Sequence, residues 1–461
     1  MSGANEAATR AGESNFEIDA GSWIGATRIL VGFLLLYEIA FGGWHKLNGD
    51  WIGFGAGTPL ADRAGRAVSD GTYIWYSAVL EAVVIPHAWF WSNLAVVLQL
   101  TFGIALLVGF WARPAAIVGL LYFLPVFNMG TIRTSPTFGV AIAFLLVANA
   151  GYHYGLDGWI DRRSGTWARR SDRIASFGSI PRSWYPTVAA TFALVGLYYL
   201  LTIPERGYAF ADGLALVGVE LAMLSAIVAG GFTLAYHGAD STPLAADALR
   251  IFVGYRLLHE VFVRIEPGVN TLPGGAPLEL QAALFSDIAA AHVTPVSVFI
   301  ESVILPALPV WAVVFAVVQI GAGIALFVGY RTRLFGSLAV AYLSVLIALG
   351  FVRLAPLLLM SAIAAAALGG RYAGLDAIYD HSKTPPRATL SELSAPRSAA
   401  YTLGVVAAGF VALGLVLGIE PGGYGVTTGA ISLVMIGFAL VVLIIGTRGF
   451  EPPRRASASD D

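Results

Sequence analysis

Four pairs of polar side chains recur at matching places about 220 residues apart. Glu38 and Glu260 close the runs RILVGFLLLYE and RIFVGYRLLHE. A carboxylate inside an apolar run can take up and release a proton, so both are candidate proton carriers. Pairing is the equally open reading: Arg256 lies four residues before Glu260, on the same helical face. Glu81 and Glu301 sit in AVLEAVVIP and VFIESVILP, either as desolvated carboxyls of catalytic use or on the wet side of an interfacial helix. Arg133 and Arg353 stand just before Pro136 and Pro356. A guanidinium aimed into an outward cavity binds an oxyanion; aimed sideways, it anchors a helix at the headgroups. Gln99 and Gln319 open QLTFGIALLVGFWAR and QIGAGIALFVGYRTR. Their amides can bind a small molecule but cannot ionise.

Other chemistries have no foothold. With no cysteine there is no disulfide, thiolate metal site or thiol nucleophile. The seven histidines are scattered, and only His259 falls well inside an apolar run, so no metal is assigned. No nucleotide-binding motif is present. The net charge of −2 implies no nucleic-acid partner.

The elements that must position these residues are membrane helices. The chain has 461 residues, 57% hydrophobic and 12% charged, with mean hydropathy +0.74. A soluble domain carries about twice that charged share. Twelve apolar runs are expected to span a bilayer: 24–44, 92–111, 114–130, 136–152, 185–203, 211–236, 246–265, 309–330, 334–351, 354–370, 400–419 and 426–447. At about 1.5 Å per residue most cover a ~30 Å hydrocarbon core. Arginines concentrate in 153–184, 331–333, 371–399 and the C-terminal tail. By the positive-inside rule these face the cytoplasm, as do both termini, and 45–91 and 266–308 face outward. The polar stretch 1–23 does not read as a signal peptide. The expectation is a multi-pass protein of the cell membrane, with the bilayer as its first partner.

The pattern is written twice. Beside the pairs above, Gly-Leu-Asp ends the fourth span of each unit, at Gly155–Asp157 and Gly374–Asp376. Those glycines are expected to stop a helix in the left-handed conformation and the aspartates to cap the turn. Arg28 and Arg250, near the inner ends of spans 1 and 7, are expected to snorkel to headgroups. The architecture is therefore all-α: a polytopic membrane helical bundle of about twelve transmembrane helices in two parallel six-helix repeats, related by a pseudo-twofold axis along the membrane normal. The polar tail 1–23 precedes the first repeat, 24–236, and the second repeat, 247–447, is followed by the tail 448–461.

Each unit opens on an Arg-led span, ending at Trp44-His45-Lys46 in the first copy. It continues through E-x-x-x-x-P and G-x-x-L-x-x-G-x-x-x-R (Gly103–Arg113, Gly323–Arg333) and closes on Gly-Leu-Asp. In these features the chain resembles the DoxX/DoxD family, four-helix membrane proteins named for a subunit of thiosulfate:quinone oxidoreductase. The likeness covers 24–160 and 247–378, leaving spans 5, 6, 11 and 12 as appended pairs. The resemblance implies oxidation of thiosulfate or a similar small donor, a quinone as electron acceptor, and a small partner subunit or respiratory chain component. The family pattern has Glu where this chain has Gln99 and Gln319, and Lys46 has no lysine counterpart, Arg264 being nearest. Two other classes stay open: a non-catalytic membrane scaffold, and a transporter of small molecules or lipids. LADRAGR (Leu60–Arg66) is similar to a cytoplasmic loop signature of major facilitator transporters, but it follows span 1 and faces outward. It reads as a helix of the outer loop, opened by Pro59 as its counterpart is by Pro277.

Overall fold

The computed structural model describes residues 20–40, 46–69, 73–129, 134–164, 167, 180–202, 213–262, 272–275, 277–352, 354–379, 397–417 and 429–446. Among them there are helices and turns but no strand. The first half runs α1 (Ala20–Ala40), α2 (Thr58–Ser69), α3 (Ile74–Val79), α4 (Ala88–Val108), α5 (Ala112–Asn128), α6 (Thr134–Val147), α7 (Leu156–Ser164), α8 (Tyr185–Thr202) and α9 (Gly213–Tyr236). The second runs α10 (Ser241–Phe262), α11 (Leu278–Ala291), α12 (Thr294–Phe299), α13 (Leu308–Val328), α14 (Thr332–Ala348), α15 (Leu354–Leu368), α16 (Leu375–Tyr379), α17 (Arg397–Leu417) and α18 (Gly429–Gly446). Each element of the first half has a counterpart nine places later. Among the described residues, five stretches are helical, long and apolar enough to cross a membrane: Gly21–Ala40, Ala88–Val108, Arg182–Leu201, Val219–Tyr236 and Leu308–Val328.

The centre is a four-helix core of α1, α6, α10 and α15. α1 packs on α6 and α10 on α15, while α1–α15, α6–α10 and α6–α15 join the halves. Nearly every residue of α15 is buried, which fits a helix apolar all round. Gly32 and Gly254 let α1 and α10 close on the backbones of Leu107 in α4 and Phe327 in α13; a Cβ at either would overlap them.

The appended helix pairs clamp the opposite half. α9 packs on α5 of its own half and on α10 of the other; α18 packs on α14 and on α1. Each pair thus bridges the two halves instead of extending its own.

Gly-Leu-Asp acts as a clasp. The Asp157 carboxylate accepts from Trp111 N at 2.8 Å and Ala112 N at 3.0 Å, capping the first turn of α5. Asp376 accepts from Arg331 N and Thr332 N, both at 2.7 Å, at the start of α14. These carboxylates satisfy amides that a helix start leaves unpaired, worth about 1 kcal/mol each. Of the two expected left-handed glycines, only Gly374 has that conformation, at φ +100°. In the first half Tyr154 takes it, at φ +55°, and Gly155 is small because it packs on Gly109 and the Gly151 carbonyl.

Arg28 and Arg250 correct an expectation: they do not snorkel but are buried. Arg28 Nη1 donates to the Leu106 and Leu107 carbonyls at 2.5 and 2.7 Å, and Nη2 to the Tyr154 carbonyl at 2.9 Å. Arg250 donates to the Leu326 carbonyl, to Phe327 O at 3.1 Å and to Ala373 O at 2.9 Å. Both satisfy the last carbonyls of a helix, where positive charge is favoured. In the second half Asp247 joins them, accepting from Arg250 Nε at 3.1 Å and from Tyr372 N at 2.9 Å.

Candidate functional site

The most unusual polar group in the first half lies midway along α4 and α5. Gln99, buried in α4, donates from Nε2 to the Leu35 carbonyl of α1 at 3.2 Å. That bond fixes the amide, so Oε1 faces inward and accepts from Lys46 Nζ at 2.7 Å and Tyr122 OH at 2.9 Å. Lys46 Nζ also donates to the Tyr122 oxygen at 2.7 Å. The lysine is 8% exposed, and its ammonium lies 5.4 Å from the Trp51 ring centre and 5.4 Å from that of Tyr122. Its backbone is tied to the end of α1, with Lys46 N bonded to the Ile39 carbonyl at 2.8 Å. Ser92 Oγ holds the Trp51 carbonyl at 2.6 Å. Phe102 and Phe123 flank Tyr122 with centroids at 5.4 and 5.1 Å. A cation with two polar neighbours and several aromatic faces can hold an electron-rich oxygen while keeping water out.

The second half repeats the amide but not the lysine. Gln319 donates to the Leu257 carbonyl at 3.1 Å and accepts from Tyr342 OH at 2.9 Å. The backbone of Gly274 closes on Gln319 Oε1, where a Cβ would overlap it. Among the described residues no lysine or arginine reaches Gln319; Arg264 lies outside them. The amides also account for the departure from glutamate, since a carboxylate could not donate to the Leu35 or Leu257 carbonyl.

A different charged group occupies the second half. Arg256 Nη2 donates to Glu260 Oε1 at 2.9 Å, the pairing the four-residue spacing allows, and Nη1 donates to Glu220 Oε1 at 2.6 Å. All three side chains are buried. His259 Nδ1 stands 3.7 Å from Glu260 Oε1. Glu38, the counterpart of Glu260, is half-buried near the end of α1.

Glu81 and Glu301 are exposed. Each sits where α3 or α12 passes into a wider helical turn, closed by Ile85 N to the Leu80 carbonyl at 2.8 Å and Leu305 N to the Ile300 carbonyl at 2.9 Å. Nearby, Tyr76 OH donates to the Pro125 carbonyl at 2.6 Å, and burial raises its phenol above the ordinary tyrosine range. Arg133 and Arg353 fall outside the described residues.

No family model, curated protein or solved structure matches this chain. The geometry therefore carries the functional argument. Among the described residues no cluster of histidine and carboxylate side chains is arranged to hold a metal ion. Sequence reasoning missed Tyr122, Tyr342 and Glu220 and gave Lys46 no role. Signals existed for each. Gln99–Tyr122 and Gln319–Tyr342 share one spacing, Lys46 is one of two lysines in the chain, and Glu220 is the only charged residue of α9.

Proposed function

We propose that the protein is an integral membrane protein of twelve spans in two parallel six-helix repeats, with both termini cytoplasmic. Each repeat is a DoxX/DoxD-like four-helix core plus a clamping pair. Its role in this reading is that of a quinone-linked oxidoreductase subunit acting on thiosulfate or a similar small donor. The observation that supports it is the Lys46 ammonium held against Gln99 and Tyr122 among aromatic rings. The thiosulfate and quinone themselves come from the resemblance.

The residues fit such a ligand. A quinone offers carbonyl oxygens to N–H donors and a flat ring to aromatic faces; Lys46 supplies the first, and Trp51, Tyr122 and Phe102 supply the second. Bound there, a quinone supplies two-electron acceptance coupled to uptake of two protons. Lys46 and Tyr122 hold protons on Nζ and OH beside the acceptor site. Gln99 orients both through Oε1 while its own Nε2 stays tied to Leu35. The rings of Phe102, Phe123 and Trp51 exclude water. Oxidising two thiosulfate anions to tetrathionate releases the two electrons required. Glu38, near the outer end of α1, is the proton carrier of this half. In the second half the closing of Gly274 on Gln319 favours a structural role.

The test uses the full chain in lipid, with thiosulfate and a soluble quinone analogue, following quinone reduction and tetrathionate together. Lys46→Met is expected to lower turnover by ~100-fold or more, while Tyr342→Phe leaves it within about twofold. No turnover by the intact protein, with and without the products of neighbouring genes, sinks the oxidoreductase reading in favour of a scaffold or transporter.

A further inference from the structure

The short helix α7 sorts its side chains by face. Leu156, Trp159 and Arg163 follow one another at three- and four-residue spacing, so they share one side, with Arg162 next to Trp159 around the helix. The other side is fixed to the protein. Asp157 N donates to the Gly109 carbonyl at 2.8 Å, the Asp157 carboxylate caps α5, and a Cβ at Gly158 would overlap the Tyr152 carbonyl. With that side pinned, the first turns outward. Leu156 is 42% and Trp159 45% exposed, and both arginines are exposed. The Arg163 guanidinium lies 3.8 Å from the centre of the Trp159 ring. Among the described residues neither arginine makes a salt bridge. Two cations beside exposed apolar side chains match a partner that is anionic at one end and apolar at the other.

A second observation sets the level of this face. Phe110 and Trp111 follow directly on α4, one of the helices long and apolar enough to cross a membrane. Both are exposed. Phe110 stacks on Trp111 and on Trp167, with centroids 6.1 and 5.6 Å apart. Trp167 Nε1 donates to Asp157 Oδ1 at 2.9 Å, which ties this aromatic cluster to α7. Aromatic rings at the end of a spanning helix mark the headgroup level. The counterpart helix α16 exposes Ile378 and Tyr379 but carries no basic residue, so the charge belongs to α7 and not to the shared backbone.

We propose that the outward face of α7 binds the headgroup phosphate of an anionic phospholipid of the bilayer. Arg162 and Arg163 take the phosphate oxygens, and Leu156 and Trp159 lie against the first carbons of the lipid chains. The stack on Trp159 occupies the flat face of the Arg163 guanidinium and leaves its N–H edge to oxygen. A soluble phosphate would leave Leu156 and Trp159 uncovered, which favours the lipid as the source. This inference rests on the reading of the chain as a membrane protein and is independent of the redox reading.

The experiment places the full chain in nanodiscs of phosphatidylcholine with a minor fraction of phosphatidylglycerol and counts the lipids it retains by native mass spectrometry. The wild type is expected to retain phosphatidylglycerol roughly tenfold above the mixing ratio. Arg162→Gln with Arg163→Gln is expected to lose most of that preference, while Arg66→Gln, at an exposed site on α2, leaves it unchanged. No preference in the wild type, or an undiminished one in the double variant, overturns the proposal. Retention of glycerol phosphate by the protein in detergent without lipid would assign the site to a soluble ligand and overturns it too. If the double variant does not fold, the wild type decides alone. Its preference is expected to fall as salt during reconstitution rises from about 0.1 to about 1 M, and a preference indifferent to salt overturns the site. Release of the chain from membranes by salt alone would overturn the membrane reading as well, which keeps the two failures apart.

Discussion

The α1–α18 and α9–α10 seams occupy equivalent places and are held by opposite chemistry. The first uses a stacked Phe33–Phe438 pair with Leu34 and Ile436; the second uses Glu220, Arg256 and Glu260. The same contrast appears where α4 and α13 end, with Arg28 lacking an acidic residue at the position that holds Asp247 beside Arg250. In the middle of the bundle it inverts, with the cation beside Gln99 and none of the described residues supplying one to Gln319. Backbone geometry is shared by the halves, while charge is distributed between them. Side-chain chemistry can differ in this way where the helix contacts stay alike.

The ends of α4 and α13 offer the largest way to break the comparison. Arg28→Met leaves four carbonyls short of a donor, and a cost of about 2–3 kcal/mol is expected. Arg250→Met also strips Asp247 of its counter-charge and is expected to cost about 3–5 kcal/mol. Denaturant unfolding of both variants in the same micelles gives the order. Equal losses would mean that the three backbone amides around Asp247, from Gly370, Tyr372 and Ala373, balance its charge unaided.

The buried amides give a smaller and more pointed contrast. Gln99→Glu places a carboxylate 2.7 Å from the Lys46 ammonium, which offsets the lost bond to Leu35, so a change of about 1 kcal/mol or less is expected. Gln319→Glu sets a carboxyl against Tyr342 and the Gly274 backbone, for about 2–3 kcal/mol. Thermal unfolding of the two variants reads the difference. A smaller loss at Gln319 would place a cation in the second half too, with Arg264 the first residue to examine.

Much of this contrast was legible in the sequence and part of it was not. Helix positions followed in part from apolar run length: a described helix starts within a few residues of each expected run, while the shorter helices α2, α3, α7, α11, α12 and α16 lie between those runs. The Arg256–Glu260 pair followed from four-residue spacing. The Gly-Leu-Asp clasp was legible as a cap, but not as a bond to the α5 and α14 amides, since those partners lie some 45 residues upstream in the chain. Arg28 and Arg250 were misread because an arginine near a helix end normally reaches for headgroups. Only the fold shows that the last carbonyls of α4 and α13 lie beside them. Lys46 and Glu220 were not legible because each has a single copy, with no matching residue in the other half to mark it.

The smallest effect tests whether the halves also differ in the loops that lead into α3 and α12. His292 follows α11, and its Nδ1 accepts from Val293 N at 2.8 Å, which requires a neutral nitrogen. Burial holds its imidazole below the ordinary histidine range. The folded state therefore binds fewer protons than the unfolded one as pH falls from about 6.5. The stability it contributes is complete above that value and is lost as pH drops through the folded value. A midpoint lower by roughly 1 °C is expected on acidification, absent in His292→Gln. The first half has Thr72 at the matching place, before Tyr73 as His292 stands before Val293, so Thr72→Val is expected to leave the acid response unchanged. An acid response that survives His292→Gln would move the effect out of the loops and toward His259, which stands beside Glu260 in the seam.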